Sequence, residues 1–250
     1  MKVSIITAVF NGAAMIEHCI NSVRTQTHAD IEHVLVDGGS TDGTIEIINK
    51  YQNGKTKVVS EPDNGLYDAM NKGIMRSTGN IIGILNSDDF YPDDSIIEKV
   101  VRIMSEKNAE SCYGDAVYVE RGNPNKIVRY WKSSKFSRNK VKIGWMPQHG
   151  TFYAKRSIYT KYGLFKDDFP VAADYELILR FLYKHRIKTT YLPQILLKIR
   201  VGGVSGPGIV NTPKMFVENY RACKMNGLKL PLLVCFLKRI LKIPQYIIRP

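Results

Sequence analysis

The sequence predicts an α/β fold, a Rossmann-like, mixed or parallel sheet flanked by helices, with a helical extension at the C-terminal end. Three observations predict it. Short apolar runs of β character alternate with stretches of helical period through the first half. Two of those runs end in acids: Val34-Leu35-Val36 meets Asp37, and Ile81-Ile82-Gly83-Ile84-Leu85 meets Asn86-Ser87-Asp88-Asp89. No repeat, low-complexity segment or flexible linker interrupts the pattern.

The elements follow in order. The apolar run 3–10 is too short for a signal peptide, meets Asn11-Gly12 and lacks a small-residue cleavage site, so it reads as the first strand. Helical period then covers 13–25, a strand 31–36, a helix 44–51, a strand 57–60, a helix 66–76 and a strand 81–85. The last of these, wholly apolar, reads as a strand covered on both faces of a parallel sheet. Asp93 and Asp94, after Pro92, suit the start of a helix running through Ile96, Ile97, Val100, Val101 and Met104. The second half is less regular. It offers a strand over 112–119, loops rich in basic and aromatic residues, a helix over 174–185 and a glycine-rich segment 201–212 before a helix starting near Pro213. That segment reads equally as a lid or as a plain connector. In the tail, 232–243 gathers Lys238, Arg239 and Lys242 on one side and is otherwise apolar, a basic amphipathic helix. Its unbroken apolar run, 230–237, falls far short of the ~20 residues that cross a bilayer. The helix therefore suits either a membrane interface or docking of its apolar face on the domain itself.

A chain of 250 residues holds one large α/β domain or a domain with a modest extension, and 44% hydrophobic content supports a substantial core. Cys19, Cys112, Cys223 and Cys235 show no C-x-x-C spacing, which argues against a structural zinc or a disulfide framework and fits a reducing compartment. The net charge of +13 is uneven. No Asp or Glu lies between Arg121 and Lys166 or after Glu218, so anionic partners are expected, with nucleic acid, anionic lipid and phosphorylated substrate all open on charge alone.

Open α/β sheets bind ligands beyond the carboxyl ends of their strands, where Asp88 and Asp89 stand. Two adjacent carboxylates there repel unless a cation or donor groups compensate them, and a hard divalent ion with a diphosphate does so. At the other acidic strand end, glycines in Asp37-Gly38-Gly39-Ser40-Thr41-Asp42-Gly43-Thr44 let the chain turn close to a ligand, and Asp37 can accept hydrogen bonds from a nucleobase or ribose. Thr41 or Asp42 suits the cap of the next helix. Neither G-x-G-x-x-G nor a P-loop is present. His149, after Pro147, and Arg200, before the glycine-rich segment, have the chemistry to touch a diphosphate or an acceptor, although His149 alone also reads as an ordinary core or solvated histidine. Tyr130, Trp131, Phe136 and Trp145 interleave with Lys132, Lys135, Arg138 and Lys142, as on single-strand nucleic-acid surfaces. The core can also claim several of the rings.

Taken together, Thr7-Ala8-Val9-Phe10-Asn11, the 36–44 run, Glu61-Pro62-Asp63-Asn64-Gly65-Leu66-Tyr67-Asp68-Ala69-Met70-Asn71-Lys72-Gly73 and Leu85-Asn86-Ser87-Asp88-Asp89 have the order and spacing seen in family 2 glycosyltransferases, which the chain resembles. These motifs cover about residues 1–120. Similarity to the group with colanic-acid and O-antigen transferases continues through Pro147-Gln148-His149, Ala173-Asp174-Tyr175 and Val201-Gly202-Gly203-Val204-Ser205. The resemblance implies a GT-A fold over 1–210, with a nucleotide-binding half (1–120), an acceptor-binding half (121–210) and a membrane-associating helical tail (211–250). It further implies a UDP-sugar donor and Mg²⁺ or Mn²⁺. Carried across by position, Asp37 binds uracil, Asp88 the ribose and Asp89 the metal, with Thr7, Val9 and Asp63 as further nucleotide-sugar contacts and Asp174 as the catalytic base. Three departures stand out: Asn86 replaces the first acid of the frequent D-x-D-D form, Met70 stands where many relatives carry arginine, and Ala173 replaces an acid before the base.

The expected activity is inverting transfer of a sugar from a UDP-sugar to a lipid-linked, polyprenyl diphosphate oligosaccharide in bacterial surface polysaccharide synthesis. The expected place is the cytoplasmic face of the plasma membrane, with no nucleic-acid partner. Asp174 also suits a helix N-cap, since Tyr175-Glu176-Leu177-Ile178 continues helically. Two rival readings are a sugar-nucleotide nucleotidyltransferase, which wants a basic phosphate loop that 7–14 lacks, and a non-enzymatic polybasic module for lipid or RNA.

Overall fold

The computed structural model describes residues 1–202, 213–247 and 250. Its strands are β1 (Val3–Val9), β2 (Ile31–Asp37), β3 (Thr56–Ser60), β4 (Ile81–Ile84), β5 (Ser111–Glu120), β6 (Asn123–Trp131), β7 (Tyr153–Lys155) and β8 (Thr189–Arg200). They form one sheet in the order β3-β2-β1-β4-β7-β5-β6, with β8 paired to β5. Every residue of β1, β2 and β4 is buried, as apolar strands covered on both faces must be. β1 pairs β2 and β4, and β2 pairs β3, all in parallel, so the chain reverses its direction of growth between β1 and β4. Such a reversal opens a crevice at the carboxyl ends of the strands.

Beyond β4 the sheet turns mixed. β7 runs antiparallel to both β4 and β5, β6 antiparallel to β5, and β8 parallel to β5. A two-residue turn joins β5 to β6, which permits only antiparallel pairing. The mixed or parallel sheet expected from the sequence is thus a mixed one, parallel through its first half.

The helices are α1 (Ile16–Arg24), α2 (Thr44–Lys50), α3 (Leu66–Arg76), α4 (Ile96–Glu106), α5 (Arg138–Lys142), α6 (Arg156–Tyr162), α7 (Ala173–Ile178), α8 (Pro213–Met225) and α9 (Pro231–Ile240). Strand alternation sorts the core into two layers. Ile6, Val34 and Val36 face α3, α6, α7 and the tail helices, whereas Ile5, Leu35 and Val3 face α1 and α4. The helix expected over 174–185 divides: after α7 the backbone is π-helical over Leu179–Lys184, and buried Arg180 donates to the carbonyls of Gly163 (2.9 Å) and Leu164 (2.7 Å) and pairs with Glu176 (2.9 Å).

The tail packs on the sheet domain. Ala222 and Cys223 of α8 and Val234 and Cys235 of α9 join the core layer that holds α7. Gly144, at φ +90°, lies so close under α9 that a Cβ there would stand 2.7 Å from Lys238 Cα. The outward side of α9 stays apolar, with Leu232 61% and Phe236 61% exposed. The helix thus docks with part of its surface and presents apolar side chains with the rest. The expected boundary at 210/211 and most of the 201–212 segment lie outside the described residues. All four cysteines are buried and free, in keeping with their spacing.

Candidate active site

The carboxyl ends of β1 and β2 are laced together by their following loops. Asn11 N donates to Ser40 Oγ (2.8 Å), Thr41 N to Asn11 Oδ1 (3.0 Å), and Gly12 N to Thr44 Oγ1 (2.9 Å). Asp42 accepts from Ala13 N (3.0 Å) and Thr44 N (3.1 Å), so it steadies the start of α2 as its spacing predicts. Asp37 is 1% exposed and accepts from Ser60 Oγ (2.7 Å) and from the amides of Gly39 and Ser40 (both 3.2 Å). Its carboxylate closes the β2–α2 turn against β3. Asp63 accepts from Gly65 N (2.8 Å) and covers Gly38, where an added Cβ would fall 3.1 Å from Asp63 Cγ and 3.5 Å from the Phe10 ring. Asp37, Gly38, Asp63 and Phe10 therefore meet at one rim, and Phe10 stands 65% exposed on it.

Thr7 and Val9 sit elsewhere. Thr7 is fully buried, with its hydroxyl 3.0 Å from His33 Nε2 and against Cys19 of α1, and Val9 is 4% exposed beneath Gly12. Both point into the α1 layer because odd-numbered positions of β1 face that side, so their side chains are core and not nucleotide contacts.

Asp88 and Asp89 follow β4 in a tight turn in which Asp89 N donates to Asn86 O (3.0 Å). Asp89 is 1% exposed and accepts from Asn86 Nδ2 (3.2 Å) and Arg200 N (3.2 Å). Burial first, and then the Asp88 charge, raises its pKa well above the usual carboxylate range; burial also raises that of Asp88, against Arg121 and Arg200. Asn86 Oδ1 is buried without a hydrogen-bond partner. Two crowded carboxylates and an unanswered amide oxygen make a hard oxygen donor set, the kind that suits Mg²⁺ or Mn²⁺. Asp88, Asn86 Oδ1 and Asp89 would hold such an ion, Asp89 only by exchanging its present bonds. Among the described residues no cluster of three or more His, Cys, Asp or Glu surrounds them.

Arg200 corrects an expectation. Its guanidinium donates to Asp88 O (2.6 Å), contacts His18 and lies 4.5 Å from the centre of the Phe90 ring, which His18 stacks upon at 4.2 Å. At 6% exposure it braces the acid turn from behind and is not free to bind a diphosphate or acceptor.

Asp174 opens α7, and its two oxygens have different partners: Tyr67 OH of α3 at 3.1 Å on Oδ1 and His149 Nδ1 at 3.0 Å on Oδ2. His149 is therefore neither isolated nor in the core. The turn that carries it, His149–Thr151, packs on β4 and α7. The His149–Thr151 turn thus bridges α7 to β4, the strand that leads into the acid turn, while Tyr67 stands on α3, the helix that starts just past Asp63. The start of α7 is held in turn by buried Glu218 of α8, which accepts from Val171 N (2.9 Å) and Ala172 N (2.8 Å). With 21% of its side chain exposed, Asp174 can take a proton from an incoming hydroxyl.

A family model described as Glycosyl transferase family 2 matches residues 4–165. The chain belongs to this family. It is 33% identical over 182 residues to an uncharacterized glycosyltransferase of Mycobacterium tuberculosis, covering 71% of this chain and 68% of the relative. Its fold matches Staphylococcus aureus TarS 1-349 in complex with UDP-GlcNAc, with TM-score 0.72 and 17% identity over 90% of this chain and 66% of that one; it spans 39% of a longer TarS chain. The mannosyltransferase PcManGT of Pyrobaculum calidifontis, in complex with GDP-Man and Mn2+, matches with TM-score 0.71 and 18% identity over 98% of this chain and 70% of that chain.

This family 2 glycosyltransferase thus has the GT-A fold, and the readings as a nucleotidyltransferase or a non-enzymatic module give way. Sequence reading passed over Phe10, Tyr67 and Glu218 as site residues. Phe10 and Tyr67 lie inside the family motifs, but only the fold turns one to the rim and the other to Asp174. Glu218 gave no signal beyond being the last acid of the chain.

Proposed function

We propose that this glycosyltransferase moves a sugar from a UDP-sugar to a lipid-linked, polyprenyl diphosphate oligosaccharide in bacterial surface polysaccharide synthesis, inverting the anomeric centre. One observation carries the reading: Asp174 is engaged by His149, on a turn packed against β4, and by Tyr67 of α3, the helix that follows Asp63. The exposed Phe10 ring beside Gly38 offers a face for a nucleobase, and Asp63 and Asp88 suit ribose hydroxyls. A base contact by Asp37 requires exchange of the turn bonds it now makes. Asp88, Asn86 and Asp89 would hold Mg²⁺ or Mn²⁺, which would supply charge stabilisation for a departing diphosphate. Asp174 takes the acceptor hydroxyl's proton as that oxygen attacks, and His149 and Tyr67 fix its orientation.

The donor nucleotide and the bivalent ion are supported by the complexes of the structural neighbours, which hold UDP-GlcNAc in one and GDP-Man with Mn2+ in the other. Work at the inner face of the plasma membrane is supported by the outward apolar side of α9 and its flanking cations. Among the described residues, no helix is long and apolar enough to cross a membrane.

Transfer from a panel of UDP- and GDP-sugars, with NMR of the product anomer, tests the reading. Asp174→Asn is expected to lower transfer about 10²–10⁴-fold with UDP binding kept. Full activity of that variant, or a product with retained configuration, would overturn the assigned base.

A further inference from the structure

Lys238 and Lys242 stand one helical turn apart in line with Val234, the stripe by which α9 docks. The helix therefore turns two ammonium groups toward the protein and its leucines and phenylalanine outward, the reverse of an ordinary surface helix. The two lysines reach a cavity of about 130 Å³ that is also lined by Trp131, Lys132 and Trp145. That size is below the roughly 300–1,000 Å³ of pockets for drug-sized ligands and suits a compact group.

Neither ammonium is answered by a carboxylate within ion-pair distance among the described residues. Lys238 Nζ donates to Asn219 Oδ1 (2.9 Å) and lies 3.3 Å from the centre of the ring of Tyr175, the residue after Asp174. Lys242 Nζ lies 5.6 Å from the Trp131 ring, and Arg129 lies 5.0 Å from the same ring. An ammonium has three donors, and one neutral acceptor leaves capacity for a ligand. Burial, then the charge of Lys242, pushes Lys238 down to about 7, and burial, then Arg129, pushes Lys242 down to about 8. Asp174 is close enough to oppose both shifts. A compact anion in the cavity would relieve the crowding that the fold otherwise maintains.

We propose that Lys238 and Lys242, walled by Trp131 and Trp145, form an anion subsite for the diphosphate of a lipid-linked acceptor, placing the acceptor's sugar beside Asp174. The inference rests on the transfer reaction proposed above and adds where its acceptor is held. The outward apolar face of α9 lies on the helix that carries Lys238, with Lys242 in the turn just past its end, so one segment serves the diphosphate and the lipid that carries it.

The two tryptophans lining this cavity are the only two in the chain, so intrinsic fluorescence reports on it directly. The full chain is titrated with inorganic pyrophosphate, with farnesyl diphosphate in neutral detergent micelles, and with phosphatidylcholine vesicles with and without phosphatidylglycerol. UDP binding is measured separately by calorimetry. Both diphosphates are expected to change the fluorescence, and Lys242→Gln to weaken them at least about tenfold with UDP binding intact. Lys238→Gln should act likewise; should it fail to fold, Lys242→Gln carries the test, because Lys242 Nζ stands over the Trp131 ring and holds no hydrogen bond among the described residues. A response to phosphatidylglycerol but to neither diphosphate would overturn the assignment in favour of a headgroup site. Silence toward both diphosphates with UDP bound normally would overturn the subsite alone, whereas absence of UDP binding would strike the transfer reading instead.

Discussion

Asp174 shows how much a single carboxylate depends on its partners. With Tyr67 on one oxygen and His149 on the other, its rotamer is set from two directions. Tyr67→Phe and His149→Ala should each lower turnover by roughly 10–100-fold, read as kcat with nucleotide binding unchanged, since a mispositioned base loses part of its ~10²–10⁴-fold contribution. Equal loss of UDP affinity would show instead that they serve the donor. At the acid turn, Asp88→Asn should abolish stimulation by Mn²⁺, measured as activity against ion concentration, because a hard cation then loses its most accessible anionic ligand. A different residue sets acid stability. His33 is buried against Thr7, and burial pushes its pKa from 6.5 down to about 3. The folded state therefore binds fewer protons than the unfolded one below pH 6.5, so stability is present above that value and is lost as pH falls toward 3. Thermal melts should show a steeper fall in Tm from pH 6.5 to 5 in the natural chain than in His33→Gln.

Among the elements, α7 and α9 are held by contacts that no local pattern announces. Glu218 supplies acceptors for two amides at the start of α7, and Glu218→Ala would leave both without a partner. A loss of about 2–6 kcal/mol in denaturant unfolding is expected, at about 1–3 kcal/mol for each buried unsatisfied group. Glu218→Gln keeps an acceptor oxygen and should recover much of that loss. Gly144→Ala combines a positive φ with a clash against the backbone of α9, so it should loosen the tail. Limited proteolysis after Gly144→Ala should cut within the tail sooner, with the sheet domain intact. The strands and helices of the first half were legible because period and composition agree: the third helix, expected over 66–76, is α3 at Leu66–Arg76. The second half was less legible. β7 is only three residues long, and its place between β4 and β5 comes from partners distant in sequence.

For the whole molecule, the outward side of α9 is the feature on which association with a lipid surface is tested. Leu232, Phe236 and Ile240 are 61%, 61% and 45% exposed, an apolar stripe at helical spacing. Replacing all three with Ser should leave the fold and UDP binding unchanged and lower sedimentation with phosphatidylcholine–phosphatidylglycerol vesicles about tenfold or more, at roughly 1.5–3 kcal/mol for each fully buried large apolar side chain. Undiminished sedimentation would mean that this face does not meet lipid. The amino-acid sequence by itself determined the alternation of strands and helices, the acids at strand ends and the family motifs, because these depend on short-range period and on fixed local spacing. Tertiary structure alone decided that Thr7 and Val9 face the core, that Arg200 braces the acid turn, and that Tyr67 and His149 meet on Asp174. It also decided that Lys238 and Lys242 of the tail point inward. Each of these depends on which face of an element is covered, and that is settled only when residues distant in the chain, up to 182 positions apart, are packed together.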